Sequence, residues 1–269
     1  MTILTNGVGA VTGDGLSVAA PLYLSGEVWY VYSVNGNDSN AGTSKLEPLA
    51  TIAQAITNAS SDDLILCLDG HTETLTGVQA VAKRLTIMGE GISAGIPTAK
   101  FTNNQAAASL FDITATDVQF RNIRFPPETV ANSAARITAD VARTAFIGCY
   151  FEADATQNAA VVEINTGAEG LLIENSTFVS TETADDDAPD VALEITAAMS
   201  NVTMKGVVFD GGTQGWKDFS LKGSAAAITN FRGEGLSFLR GADASLHASS
   251  TGYIQPSTTT GAVRIDGLG

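Results

Sequence analysis

Positive charge is scarce in this sequence. Lys and Arg number 14 against 29 Asp and Glu, a formal net charge of −15 at pH 7 over 269 residues. A nucleic-acid-binding face needs a basic stripe, so that class of function is excluded. Charge of either sign is thin: 16% of residues are charged, against roughly 25% in ordinary soluble domains. The surface must therefore be built from Ala, Thr, Ser, Asn and Gly. Such a surface loses little hydration when it is buried against a neighbour.

Other absences narrow the field further. Two cysteines, Cys67 and Cys149, are too few for a disulfide framework and read as buried thiols. The two histidines, His71 and His247, have no His or Cys partner at ligand spacing and read as turn residues. No apolar run approaches the ~20 residues of a membrane span, so no membrane partner is expected. The opening MTILTNGVGAVTGDGLSVAA lacks a basic n-region and a continuous apolar h-region. The expectation is a chain made in a host cytoplasm without a secretory signal. There is no nucleophile elbow, phosphate-binding Gly loop or zinc motif, and no cofactor is expected.

What is present is a repeat. VQFRNIRF (118–125), TAFIGCYF (144–151), LLIENSTF (171–178), VTMKGVVF (202–209) and FRGEGLSF (231–238) each end in Phe. Three residues before the Phe stands Asn122, Gly148, Asn175, Gly206 or Gly235, at spacings of 26, 27, 31 and 29. A degenerate copy, LTIMGEG, places Gly89 there. Up to the Asn or Gly, alternation puts Val118 and Phe120, Leu171 and Ile173, or Val202 and Met204 on one strand face. There the phase changes, and Ile123 and Phe125, or Val207 and Phe209, form the next inward pair. A phase change at a residue that tolerates positive φ means a one-residue corner between strands. Upstream lies a third apolar run: LFDIT (110–114), ARITA (135–139), VVEIN (161–165), VALEI (191–195) and FSLKG (219–223). One repeat therefore holds three short strands. It cannot bury its own apolar face, but stacked at about 4.8 Å per rung it can. The predicted fold class is all-β, a right-handed parallel β-helix with three strands per coil and a Phe stack from Phe125 to Phe238.

The stretch NGNDSNAGTSKLEPLATIAQAI, ending at Ile56, resembles the amino-terminal signature of the pectate-lyase-like β-helix superfamily. The matching residues are Asn37, Asp38, Gly42, Thr43, Pro48, Thr51, Ile52, Ala55 and Ile56. DDLILCLDGHTETL (62–75) and KRLTIMGEG (83–91) resemble its first rungs. The resemblance implies the fold and leaves function open, because the superfamily includes lyases, hydrolases, epimerases, phage tail spikes and non-enzymatic virion parts. Leu49, Ile52, Ala53, Ile56 and Ala59 fall on one helical face, and Pro48 suits a first turn. The segment reads as an amphipathic helix that caps the open end of the solenoid.

Glycoside hydrolysis on the outside of such a fold needs paired carboxylates, and a lyase needs a base beside a cation or metal that stabilises the carbanion-like intermediate. One residue before the corner, the outward column is Met88, Arg121, Ile147, Glu174, Lys205, Glu234. Glu174, Lys205 and Glu234 form a weak catalytic candidate, with a surface ion-pair ladder as the stronger reading. Asp185, Asp186 and Asp187 form a weak metal candidate. Their consecutive spacing is poor for one Ca²⁺, and a solvated loop is favoured. The outward apolar residues Ile147, Tyr150, Leu172 and Val208 are read as an interface.

The expected organisation is an N-terminal arm (1–30), a turn plus capping helix (31–60), the β-helix (61–240) and a C-terminal tail (241–269). The leading expectation is a non-enzymatic bacteriophage virion structural protein. It would be a homotrimeric capsid decoration or cement protein, its arms held by the major capsid protein or other virion proteins. The alternative is a tail spike or fibre module that binds or depolymerises host polysaccharide.

Overall fold

The computed structural model describes residues 26–268, except 107, 129, 131–133, 155–158, 166–168, 183–188, 217–219, 224–226, 241, 243 and 260–264. For 247–249 and 254–268 only the backbone is described. Each repeat folds as one coil of three strands, stacked in parallel register on the coils either side. The first face runs through Leu64–Cys67, Thr86–Gly89, Gln119–Arg121, Ala145–Ile147, Leu172–Glu174 and Thr203–Lys205. The second runs through Lys100–Asn103, Arg124–Phe125, Tyr150–Ala153, Thr177–Ser180 and Val208–Asp210. These two faces form one 15-stranded sheet, because the strand Phe231–Leu239 runs unbroken through both. The third face is a separate eight-stranded sheet that includes Phe111–Ile113, Ile137–Ala139, Ala160–Ile164, Val191–Ile195 and Leu221–Gly223. The architecture is a parallel β-helix, nearly all β.

The corner between the first two faces forms where the repeat predicts it. Asn122, Gly148, Asn175, Gly206 and Gly235 have φ of 50°, 64°, 48°, 59° and 62°. An L side chain without a local hydrogen-bonding group is disfavoured there. Asn175→Ala is therefore expected to unfold in urea at lower concentration than Asn175→Gly, by about 1–2 kcal/mol in stability. Gly89 differs from the expectation. It lies in an extended strand, and a Cβ there would stand 2.2 Å from the Asn122 carbonyl oxygen. Gly89 permits a close approach rather than making a turn.

A second corner escaped the sequence reading. Five residues before each of those positions, Asp117, Arg143, Gly170, Asn201 and Asn230 also have positive φ. The first-face strand is thus a short plank between two left-handed residues.

Inward positions meet in one core. Phe125, Phe151, Phe178, Phe209 and Phe238 stack with centroid separations of 4.9, 4.5, 5.2 and 5.4 Å and interplanar angles of 8–14°. Phe120 and Phe146 stack beside them at 5.7 Å. Cys67 and Cys149 are free and buried. Burial pushes both thiols up, that of Cys149 to about 12, so neither is a nucleophile at neutral pH.

The helix α1 spans Ile52–Asn58. Thr51 is its N-cap and accepts from the Gln54 N–H at 3.2 Å. Asp38 in turn holds the N–H groups of Ala50 and Thr51 at 2.8 and 3.0 Å. Ile52, Ala55 and Ile56 are buried and belong to the common core, whereas Ala53 faces solvent. Pro48 precedes the helix, and its carbonyl takes the Asn37 N–H. The helix starts later than its apolar pattern suggested because Leu49 pairs with Val31 in an extended bridge.

The solenoid extends past both expected boundaries. Val28–Val31 already pairs with Leu64–Cys67, and residues 1–25 of the expected arm lie outside the described residues. At the other end Ala244–Ser250, Gly252–Thr259 and Ile265–Leu268 pair onto the third and first faces. These three strands fall within the segment expected as a tail because backbone pairing needs no Phe, and Ser- and Thr-rich sequence hides the alternation.

One charged network lies inside. Arg136 has no solvent exposure. It donates from Nη1 to the carbonyls of Phe125 and Glu152 at 3.1 and 2.6 Å, and from Nε to Glu128 at 3.3 Å. Glu128 also accepts from Asn103 Nδ2 at 3.1 Å, and Asn103 Nδ2 donates to the Ala108 carbonyl. Burial pulls the guanidinium below its ordinary value, against the attraction of Glu128.

Candidate functional site

The outward columns form in the register that the repeat implies. Thr86, Gln119, Ala145, Leu172, Thr203 and Arg232 pair in succession, as do Met88, Arg121, Ile147, Glu174, Lys205 and Glu234. Glu174, Lys205 and Glu234 are therefore brought together on consecutive strands. The Lys205 Nζ stands 3.9 Å from Glu234. Glu174 is 8% exposed. Its backbone lies two rungs, about 10 Å, from that of Glu234, with Lys205 between them. The two carboxylates share one column and do not face each other across a groove.

Glu234 has partners that the sequence reading missed. Tyr253 Oη donates to it at 2.6 Å, and Arg232 donates from Nε at 2.7 Å and from Nη2 at 2.5 Å. The Tyr253 hydrogen bond first, then Arg232, hold the Glu234 carboxyl below its usual value. A general acid needs the opposite shift. Removing that bond by Tyr253→Phe is expected to raise the Glu234 pKa toward the ordinary glutamate range. An NMR pH titration of the side-chain carbonyl reads the change. The sign fixes the window: a depressed carboxyl supports the fold above its ordinary value and loses that support as pH falls through its folded pKa.

The four interface candidates are divided between two faces. Ile147 is 6% exposed, and Tyr150, Leu172 and Val208 are half-buried. Ile147 and Leu172 lie on adjacent first-face strands. Tyr150 and Val208 lie on the second face with Thr177 between them. The corner at Gly148 turns the chain between the two pairs. Among the described residues, the exposed large hydrophobics are Val34, Leu46, Val78, Ile92 and Tyr253.

Ion pairs tie neighbouring coils. Arg84 pairs with Asp62, and Arg143 donates to Asp117 at 2.6 and 2.9 Å. Arg124 grips Glu152 at 2.6 and 3.0 Å, Lys222 meets Glu194 at 3.2 Å, and Arg240 pairs with Asp210. The Arg143 hydrogen bond outweighs burial and holds the Asp117 carboxyl low. Burial would raise Asp210, but Arg240 and the Gly212 N–H bring it below its usual value. A shallow 290 Å³ concavity lies along this ladder, lined by Asp62, Arg84, Leu85, Thr86, Asp117 and Gln119.

His71 closes a turn, its N–H donating to the Leu68 carbonyl at 3.0 Å, and its side chain lies in the core. Its ring is fully buried against Phe101, its Nδ1 accepts the Ser33 N–H at 3.1 Å, and its Nε2 stands 3.3 Å from Glu73. Its backbone bonds place it in the first coil, where neighbours enclose the ring. Asp185, Asp186, Asp187 and the His247 side chain lie outside the described residues. Among the described residues no group of three or more His, Cys, Asp or Glu is placed to hold a metal, and no helix is long and apolar enough to cross a membrane.

No family model matches the chain, and no curated protein matches it. Among solved structures it is similar to the pectate lyase Pel9A, at 14% identity and a TM-score of 0.39, over 92% of this chain and 80% of that one. It is also similar to a rhamnogalacturonan lyase, at 11% identity and a TM-score of 0.40, over 90% of this chain and 65% of that one.

Proposed function

We propose that the chain is a non-enzymatic structural protein of a bacteriophage virion, of the kind that decorates and stabilises a capsid. One observation carries the non-enzymatic part. The carboxylates of Asp62, Asp117, Glu152, Glu194, Asp210 and Glu234 are each engaged by Arg or Lys, mostly across neighbouring coils. Carboxylates committed in this way lace a rod together and are poorly suited to proton transfer. The sparse charge and half-buried outward apolar positions suit a surface that packs against other proteins, in keeping with a trimer seated on a capsid.

The test has two arms. The purified chain, incubated with acidic and neutral bacterial polysaccharides, should yield neither unsaturated products nor new reducing ends. Immunogold labelling of virions should mark heads. Turnover that is lost on Glu174→Gln would overturn the reading.

A second reading has its own support. Tyr253 is 45% exposed and lies beside Arg232 and Glu234. An exposed ring among polar groups can hold a sugar. This favours a tail spike or fibre module that binds host polysaccharide, and titration with that polysaccharide would quench tyrosine fluorescence in wild type but not in Tyr253→Ala.

A further inference from the structure

Seven arginines are among the described residues. Six of them touch a carboxylate: Arg84, Arg124, Arg136, Arg143, Arg232 and Arg240. Arg121 is the seventh. It is 5% exposed, although it sits on an outward column. Its Nε donates to the neutral amide of Gln119 at 3.0 Å, and no carboxylate among the described residues closes an ion pair with it. Glu174 is two strands away, beyond Ile147. Burial pulls the Arg121 guanidinium below its ordinary value, only partly offset by Glu174. A cation withdrawn from water without a counter-charge is unfavourable. The residue keeps 5% of its surface exposed, so it is not sealed off from a neighbour.

We propose that the outward side of the first face is a self-association surface, on which Arg121 receives a carboxylate from a second copy of this chain. Charge complementarity selects the occupant. Each chain carries 15 more acidic than basic residues, so a second copy brings carboxylates in excess to an unmatched cation. The setting suits a protein contact: Met88 flanks Arg121 in register, and Leu172 lies diagonally beyond, both half-buried. Neutral Gln119 lies beside Arg121 on its own strand, and the apolar Ile147 pairs with it on the next. The inference rests on the structural reading of the outer faces, and its test is separate from the polysaccharide assay.

The test is sedimentation of the full chain over a concentration series. Wild type should self-associate. Arg121→Met removes the unmatched charge and keeps the volume, so it should fold with an unchanged or higher Tm. It should also associate at least roughly tenfold more weakly, as expected when one partner of a desolvated charge pair is removed. Leu172→Glu, on the same side, should weaken association as well. A wild-type chain that stays monomeric would overturn the proposal, including one whose Tm rises with citrate as a small anion ligand. Arg121→Met and Leu172→Glu chains that are folded and as oligomeric as wild type would overturn it too.

Discussion

Arg136→Ala should cost about 3–5 kcal/mol of stability, among the largest losses available from a single surface-distant charge. The guanidinium does not merely pair with Glu128. It also takes the carbonyls of Phe125 and Glu152, which belong to consecutive coils. Truncation leaves those acceptors and the Glu128 carboxylate to be satisfied in a site with no exposure. The measurement is urea unfolding by far-UV circular dichroism, reading the midpoint at constant slope. Arg136→Met with Glu128→Gln removes both charges together and should recover much of the loss. A double variant no better than the single one would place the cost in the carbonyl contacts instead.

Phe151→Ala should cost a similar amount, about 3–5 kcal/mol. Phe151 stacks on Phe125 at 4.9 Å and on Phe178 at 4.5 Å, and meets Phe146 edge-on at 5.8 Å. Deleting it opens a void in the middle of the aromatic stack, where neighbouring coils cannot close in without shortening the strands above and below. Because coil stability is a nearest-neighbour sum, the loss falls on two coil–coil interfaces. Phe238→Ala, with one stacked neighbour at 5.4 Å, should cost less. Equal midpoints for the two variants would show that the stack does not act pairwise.

The repeat made the strands, one corner and the outward columns legible, because register in a parallel solenoid follows directly from aligning the copies. The other corner has the same spacing but mixes Asp, Arg, Gly and Asn, so residue type did not announce it. Arg143 can hold its positive φ there while its side chain grips Asp117. Exposure was less legible than direction. Ile147 points outward and is still buried, because side chains on adjoining strands, not its own phase, set what water reaches. Arg136 stood in an apolar run, and only the carbonyls of other coils explain why a cation belongs there. Tyr253 lay in a segment without the Phe signature, so its contact with Glu234 had no sequence counterpart.

The coils also differ in where they admit extra chain. The two corners stay five residues apart in every described copy from Asp117 and Asn122 to Asn230 and Gly235. Between register-matched positions of the second and third faces the count varies: 12 from Phe125 to Ile137, 11 from Phe151 to Val162, 15 from Phe178 to Leu193 and 6 from Phe238 to Ala244. Growth falls mostly at that edge, since the run from the third face to the next corner varies only between 6 residues (Phe111 to Asp117) and 9 (Leu221 to Asn230), like pages bound at the spine and trimmed unevenly at the margin. A peptide grafted at that margin, between Ala153 and Ala160, would be displayed beside its own coil without altering the pitch of the rest.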